Sequence, residues 1–405
     1  MSAYRPRITD VQRRNRLLRR HCLAPGHRGA SVLEVADAMV GLHATTPSTV
    51  YLSAWARTED LRAADVDSAL YDDRTLIKQL AMRRTLFVFS GAVLGEAVGA
   101  IGSRVAGSER TNMLRDLRRS EDAVDPEGWI DTARAAIRAE FADGTTLTSA
   151  ELRARLPEVD RQVIISPGKS YGGPSPLIPR VLNMMSAAGE VVRGPNNGGW
   201  HVSRPSWSAM DRWLRHPLDV PDVAAAHAAL IRRWLARFGP GTEADLVWWL
   251  GSTKRDVRQA LTTLGVAEVE LDDGSTGYVL ADDLPGGPDD EPVAPAAILL
   301  PELDPTTMGH KARDFYLGPH AGKIFDRNGN GGQTVWWDGR IVGGWYRGGE
   351  GSDGRSIDVH LFEDLSSAAR RAVAERADEL TAWLGDVAFR PGYPPPYLRE
   401  LTPRR

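Results

Sequence analysis

One cysteine, Cys22, stands alone among 405 residues. That excludes an intrachain disulfide and any zinc site built on paired thiolates. The nine histidines are scattered, with no HExxH and no close His pair to start a metal site. Lysine is scarce, with only Lys78, Lys169, Lys254, Lys311 and Lys323. No apolar run approaches the roughly 20 residues of a membrane span, and the opening "MSAYRPRITD" has no signal core. A cytoplasmic protein with no membrane partner is expected.

What is present is a long, ordinary globular composition, with 42% hydrophobic and 25% charged residues and room for roughly two to four domains. The net charge of −3 speaks against nucleic acid, but its distribution is uneven. Arg5, Arg7, Arg13, Arg14, Arg16, Arg19, Arg20 and Arg28 face only Asp10 within residues 1–28, whereas residues 265–292 carry acids and no bases. GC-rich coding accounts for the general preference for arginine. The N-terminal cluster reads as a contact for phosphates or guanines.

One pattern recurs three times: a helix, a second helix, then two short strands with a polar tip. "SVLEVADAMVGL" has helical spacing, and "TPSTVYLSAWAR" follows with Thr46 as N-cap and Pro47 at the first helical position. "DDRTLIKQLAMRR" reads as a third helix leading into the strand "TLFVFS". In the second copy, "LTSAELRARL" precedes "SPLIPRVLNMMSAAG", closed by Gly189, and "EVVRGPNNGGWHVS" reads as a hairpin. In the third, "GTEADLVWWLG" and "TKRDVRQALTTLG" precede a hairpin with a Asp-Asp-Gly-Ser tip. This is the winged-helix plan, in which one helix enters a groove and the hairpin reaches the backbone. Expected boundaries are 1–120, 121–215 and 216–290. Residues 291–405 form a β-rich domain with an Asp338-Gly339 turn, a closing helix and a Pro-rich tail containing Tyr393 and Tyr397.

Three local matches to chemical motifs fail on context. "PGKS" at 167–170 lacks the P-loop's first glycine, since Val163 stands there. "DRNGNG" at 326–331 opens like a calcium loop, but Trp337 holds the position that needs a bidentate glutamate. "GEGSDG" at 349–354 satisfies GxGxxG between strands and reads as a loop.

Five ordered stretches, "GLHATTPSTVYLSAWAR", "RRTLFVF", "RFGPGTEADLVWWLG", "LLPELDPTTMGHKAR" and "TVWWDGRIVGGWY", resemble the landmarks of the AlkZ/YcaQ-like winged-helix DNA glycosylases. The resemblance runs from about residue 8 to 385. It implies an α+β protein with tandem winged-helix domains and a C-terminal β-barrel-like domain, forming a curved shell around duplex DNA. It also implies excision of alkylated purines, including N7-alkylguanines and interstrand crosslinks, without metal or cofactor. Some members serve self-resistance in bacteria that make DNA-alkylating antibiotics. The implied partner is double-stranded DNA carrying alkylated purines, bound by a monomer.

The family's catalytic signature is Gln-x-Gln or Gln-x-acid. Here the matching positions are His43 and Thr45, so membership is better supported than the inherited mechanism. An N7-alkylated guanine is already a good leaving group, leaving the enzyme to position water and stabilise the sugar cation. Neutral His43 could accept a hydrogen bond from that water, with Thr45 fixing it, and activity would fall as the ring protonates. A histidine after "VGL" can equally be a packed or capping residue. Arg83, Arg84, Lys169, Arg180, Lys254 and Arg255 are the expected DNA contacts. His310, Lys311 and Arg313 either line the DNA channel or shape a loop. Two readings stay open: a monofunctional glycosylase for bulky N7-alkylguanine adducts, or a catalytically silent DNA-binding regulator or damage sequesterer.

Overall fold

A computed structural model describes residues 5–120, 125–165, 168, 172–348 and 355–401. The fold is mixed α+β, and the chain divides into two compact units, residues 1–67 with 227–405, and residues 68–226. No described helix is long and apolar enough to cross a membrane.

The first unit opens on the helix Asp10–Arg20, whose start is fixed by a reciprocal Thr9–Gln12 capping box. Arg7–Ile8 adds a parallel strand to the hairpin Ala267–Leu271/Thr276–Val279, which follows the helices Glu243–Leu250 and Lys254–Leu264. The third helix–helix–hairpin unit therefore forms as expected, with the N-terminus paired onto it. This pairing corrects the reading of the charged segments. Arg5 meets Glu268, Arg7 meets Asp272, Arg16 meets Asp283 and Asp290, and Arg20 meets Asp283 and Asp289. Four of the N-terminal arginines thus neutralise the acidic run of the same chain. Arg13 is buried, with its guanidinium 3.6 Å from the centre of the Phe315 ring.

The C-terminal part is an antiparallel sheet of Ala297–Leu300, Thr334–Trp337, Arg340–Arg347 and Ile357–Leu361 in that spatial order. Asp338 and Gly339 both take positive φ in the two-residue turn, the conformation that a tight hairpin of natural twist requires. Among the described residues the sheet stays open, so the expected barrel-like closure is absent. The physical reason is the helix Ser367–Leu384, which packs on the strands at both edges. Its buried stripe, Ala369, Val373, Ala377, Leu380 and Leu384, covers apolar surface that a barrel would enclose by itself. "DRNGNG" is a tight turn, with Asp326 accepting from the backbone N–H groups of Asn328 and Asn330.

The second unit contains the hairpin Leu76–Leu80/Leu86–Ser90. The expected helix over "DDRTLIKQLAMRR" is overturned: "LIKQL" is a strand buried along its length, and burial on both faces hides the alternation that normally marks one. Further along, helices Pro126–Glu140, Ser149–Arg155 and Ile178–Ala187 precede the hairpin Val191–Asn196/Pro205–Ala209. Gly189 takes positive φ just beyond the last helix. Met113, Ile130, Ile137, Phe141, Leu182, Met185 and Trp207 belong to one apolar core under these elements. "PGKS" falls outside the described residues except for Gly168, and "GEGSDG" wholly outside them.

Candidate active site

His43 ends the two-residue strand Leu42–His43, and the helix Pro47–Trp55 begins four residues later, with Thr46 at its N-cap. The signature segment is therefore non-helical, as the sequence suggested. His43 is buried, while Thr45 is partly exposed. The Thr45 backbone N–H approaches His43 Nδ1 at 3.4 Å. With Nδ1 as acceptor, the neutral ring carries its proton on Nε2 and offers a donor there.

The Thr46 side chain does not cap its own helix. Its hydroxyl instead favours the charged form of the nearby Glu302 carboxylate, a residue absent from the sequence candidates. The strand ends at Leu300, and Pro301 turns the chain so that Glu302 comes to rest over the start of the Pro47–Trp55 helix. The Thr49 hydroxyl donates to the Glu302 backbone carbonyl at 3.0 Å. From the tail, the Gly392 N–H donates to Glu302 Oε1 at 2.8 Å and the Tyr393 N–H to Oε2 at 2.7 Å. Glu302 is only 2% exposed. Burial raises its pKa above the usual carboxylate value, against the three hydrogen bonds that favour the charged form.

Asp304, two residues on, has a different environment. Arg57 grips both of its oxygens, at 2.8 and 2.6 Å, and Ser53 Oγ donates at 2.7 Å. Both members of the Arg57–Asp304 pair are fully buried. Thr306 extends the network to His21, whose pKa burial drives well down. This network fixes the 302–306 loop against the Pro47–Trp55 helix. The tail is pinned by Tyr397, whose hydroxyl donates to the Trp345 carbonyl at 2.8 Å. Glu302 is thus held from two sides, and among the described residues no arginine or lysine forms an ion pair with it.

The remaining sequence candidates are dispersed. Arg83 and Arg84 lie in the turn of the Leu76–Ser90 hairpin, both with positive φ, and Arg84 pairs with Glu109. Arg180 pairs with Asp116 at 2.9 Å and is largely buried. Lys169 lies outside the described residues. Lys254 and Arg255 are exposed at the first turn of the Lys254–Leu264 helix. His310 is not a channel residue: it is fully buried, its ring centre 5.1 Å from Trp234 and 5.2 Å from Phe315, and its Nε2 bonds to the Phe238 carbonyl. Burial lowers its pKa to about 4. The Lys311 side chain is exposed, while its backbone N–H holds Asp245; Arg313 stacks on Phe325 and Trp248. His310 and Arg313 therefore support the loop from within. Among the described residues no three or more His, Cys, Asp or Glu side chains are grouped to hold a metal ion.

Comparison with known proteins adds two findings. A family model described as DNA glycosylase AlkZ-like matches residues 36–383. The structure is similar to that of Streptomyces sahachiroi DNA glycosylase AlkZ, with a TM-score of 0.73 over 93% of this chain and 97% of that one, at 21% identity. No curated protein matches.

Proposed function

Because the chain belongs to the AlkZ-like DNA glycosylase family, we propose that it hydrolyses the N-glycosidic bond of N7-alkylguanine in duplex DNA, with Glu302 and His43 at the reacting centre. The observation that carries this reading is the Glu302 carboxylate, buried and held by the Gly392 and Tyr393 N–H groups against the start of the helix that follows the signature segment. Cleavage leaves positive charge on the deoxyribose, and a buried carboxylate opposes that charge far more strongly than one in water. Its raised pKa also suits it to take a proton from attacking water. The reaction balances simply: the C1′–N9 bond breaks, water oxygen bonds to C1′, and the released proton passes to the carboxylate. The neutral alkylated base and an abasic site are the products.

His43 serves this scheme as a donor. With Nδ1 facing the Thr45 N–H, the Nε2 edge of the ring is the one assigned to the water or an oxygen of the adduct on binding, while Thr45, the partly exposed member of the segment, meets the ligand first. This replaces the sequence-based role of His43 as base. The sign of the pH dependence is unchanged, because Glu302 must be ionised and His43⁺ would repel a cationic adduct. The winged-helix reading of the helix–helix–hairpin units, bulky adducts as substrates, self-resistance, a metal-independent reaction, a monomeric state and a cytoplasmic location all belong to this proposal. The silent DNA-binding alternative gains no support from a carboxylate held in this way. Single-turnover base release from a duplex with one N7-alkylguanine tests the proposal. An abasic product supports it, and tight binding without release contradicts it.

A further inference from the structure

Within residues 68–226, a cavity of about 450 Å³ lies between the helix Ile178–Ala187 and the hairpin Val191–Asn196/Pro205–Ala209. Arg193, Arg204, Asn183, Asn197 and Ser203 contribute its polar lining, and Trp207 forms part of its wall. Among the described residues no acid lines it. Glu151, on the neighbouring helix, is engaged by the N–H and hydroxyl of Thr148.

Arg193 is the unusual member. Its guanidinium lies over the Trp207 ring at 4.9 Å, and one terminal nitrogen donates to Asn183 Oδ1 at 3.0 Å. Its Nε is out of solvent and has no hydrogen-bond partner. Burial lowers the pKa to about 10, with no carboxylate counteracting that effect. The group still carries its charge at neutrality, so the protein holds a partly desolvated cation without a counter-ion. That arrangement costs stability unless a ligand supplies the missing charge. The planar fork fits two oxygens of one phosphate, which Arg204 and the amides of Asn183 and Asn197 could share.

We propose that this pocket binds a backbone phosphodiester of duplex DNA, with Arg193 as its central ligand; the choice of DNA rests on the glycosylase reading. The position between a helix and a hairpin matches it, since such units set their register on a duplex through backbone contacts. The site serves affinity and register rather than the bond-breaking assigned to Glu302.

The test is fluorescence anisotropy of an undamaged duplex against KCl concentration, with wild type, Arg193→Met and Arg193→Lys, alongside thermal unfolding. Arg193→Met should weaken binding about tenfold and reduce the slope of log affinity against log salt by about 0.9, the share of one phosphate contact. Its Tm should equal or exceed that of wild type, because the unpaired cation is gone. Arg193→Lys should keep the slope and lose part of the affinity. Unchanged slope and affinity in folded Arg193→Met would overturn the proposal, as would a lowered Tm with unaltered binding. Wild type that binds no duplex would overturn both this assignment and the glycosylase reading, whereas base release by wild type with an unchanged Arg193→Met slope would overturn this one alone. Inorganic phosphate, titrated while the arginine Nε–H NMR signals are followed, separates the ligand sources. A response far weaker than to duplex is expected; saturation by free phosphate with none from duplex would contradict the DNA assignment.

Discussion

Glu302 and Asp304 stand two residues apart in one loop, both buried, in opposite electrostatic surroundings. Asp304 meets the Arg57 guanidinium, while Glu302 meets only a hydroxyl and two backbone N–H groups. Glu302→Gln should therefore lower single-turnover excision by about 10²-fold or more. It also places an amide N–H₂ toward one tail N–H, at about 1–3 kcal/mol, so circular dichroism should confirm folding. Thr46→Val separates positioning from bulk structure. Losing the hydroxyl removes one interaction that favours the carboxylate, so the acid limb of the pH–rate profile should move to higher pH. A uniform fall in rate with the limb in place would give Thr46 a structural role only. The sequence exposed His43 and Thr45 through the family motif. It hid Glu302, because an acid after "AILLP" looks like the end of a strand until the tail and Thr46 are seen to surround it.

At the scale of elements, the signals that were legible were those with local causes. Thr46-Pro47 marked a helix start, Gly189 a helix end and Asp338-Gly339 a turn, and the structure has all three. "LIKQL" misled because its burial depends on neighbours distant in sequence, and the open C-terminal sheet depends on where the last helix packs. The Pro47–Trp55 helix has eight of its nine residues buried and is tied to the 302–306 loop through Arg57. Arg57→Leu leaves the buried Asp304 without its partner, and should cost about 3–5 kcal/mol in denaturant unfolding. A cost below about 1 kcal/mol would show that the pair does not anchor the loop.

For the whole molecule, charge distribution had two possible meanings that composition could not separate. The basic N-terminus and the acidic 265–292 segment are far apart in sequence and paired in the fold. Arg16 is almost wholly buried against Asp283 and Asp290, so Arg16→Met should lower Tm while the salt dependence of duplex binding stays that of wild type. A reduced salt slope would return Arg16 to the DNA surface.

Acid should weaken the residues 227–405 part in a defined window. His310 has a folded pKa of about 4 against an ordinary value of 6.5, so the unfolded chain binds more protons between those pH values. Stability is then lost as pH falls from about 6.5 toward 4, by on the order of 3 kcal/mol from this ring. Unfolding across that range should lose the His310 share of its pH dependence in His310→Phe and keep the share of buried His21; an unaltered dependence would assign it elsewhere.

The central claim is hydrolysis at the Glu302–His43 site, and the most direct measurement is base release under single-turnover conditions from a duplex carrying one N7-alkylguanine. Wild type, Glu302→Gln and His43→Ala should be compared near neutral pH, with the abasic site detected by alkaline cleavage. The account predicts an abasic product from wild type and loss of at least about 10²-fold in rate for folded Glu302→Gln, with a clear loss for His43→Ala. Undiminished release by both folded variants, or binding without any release by wild type, would contradict it.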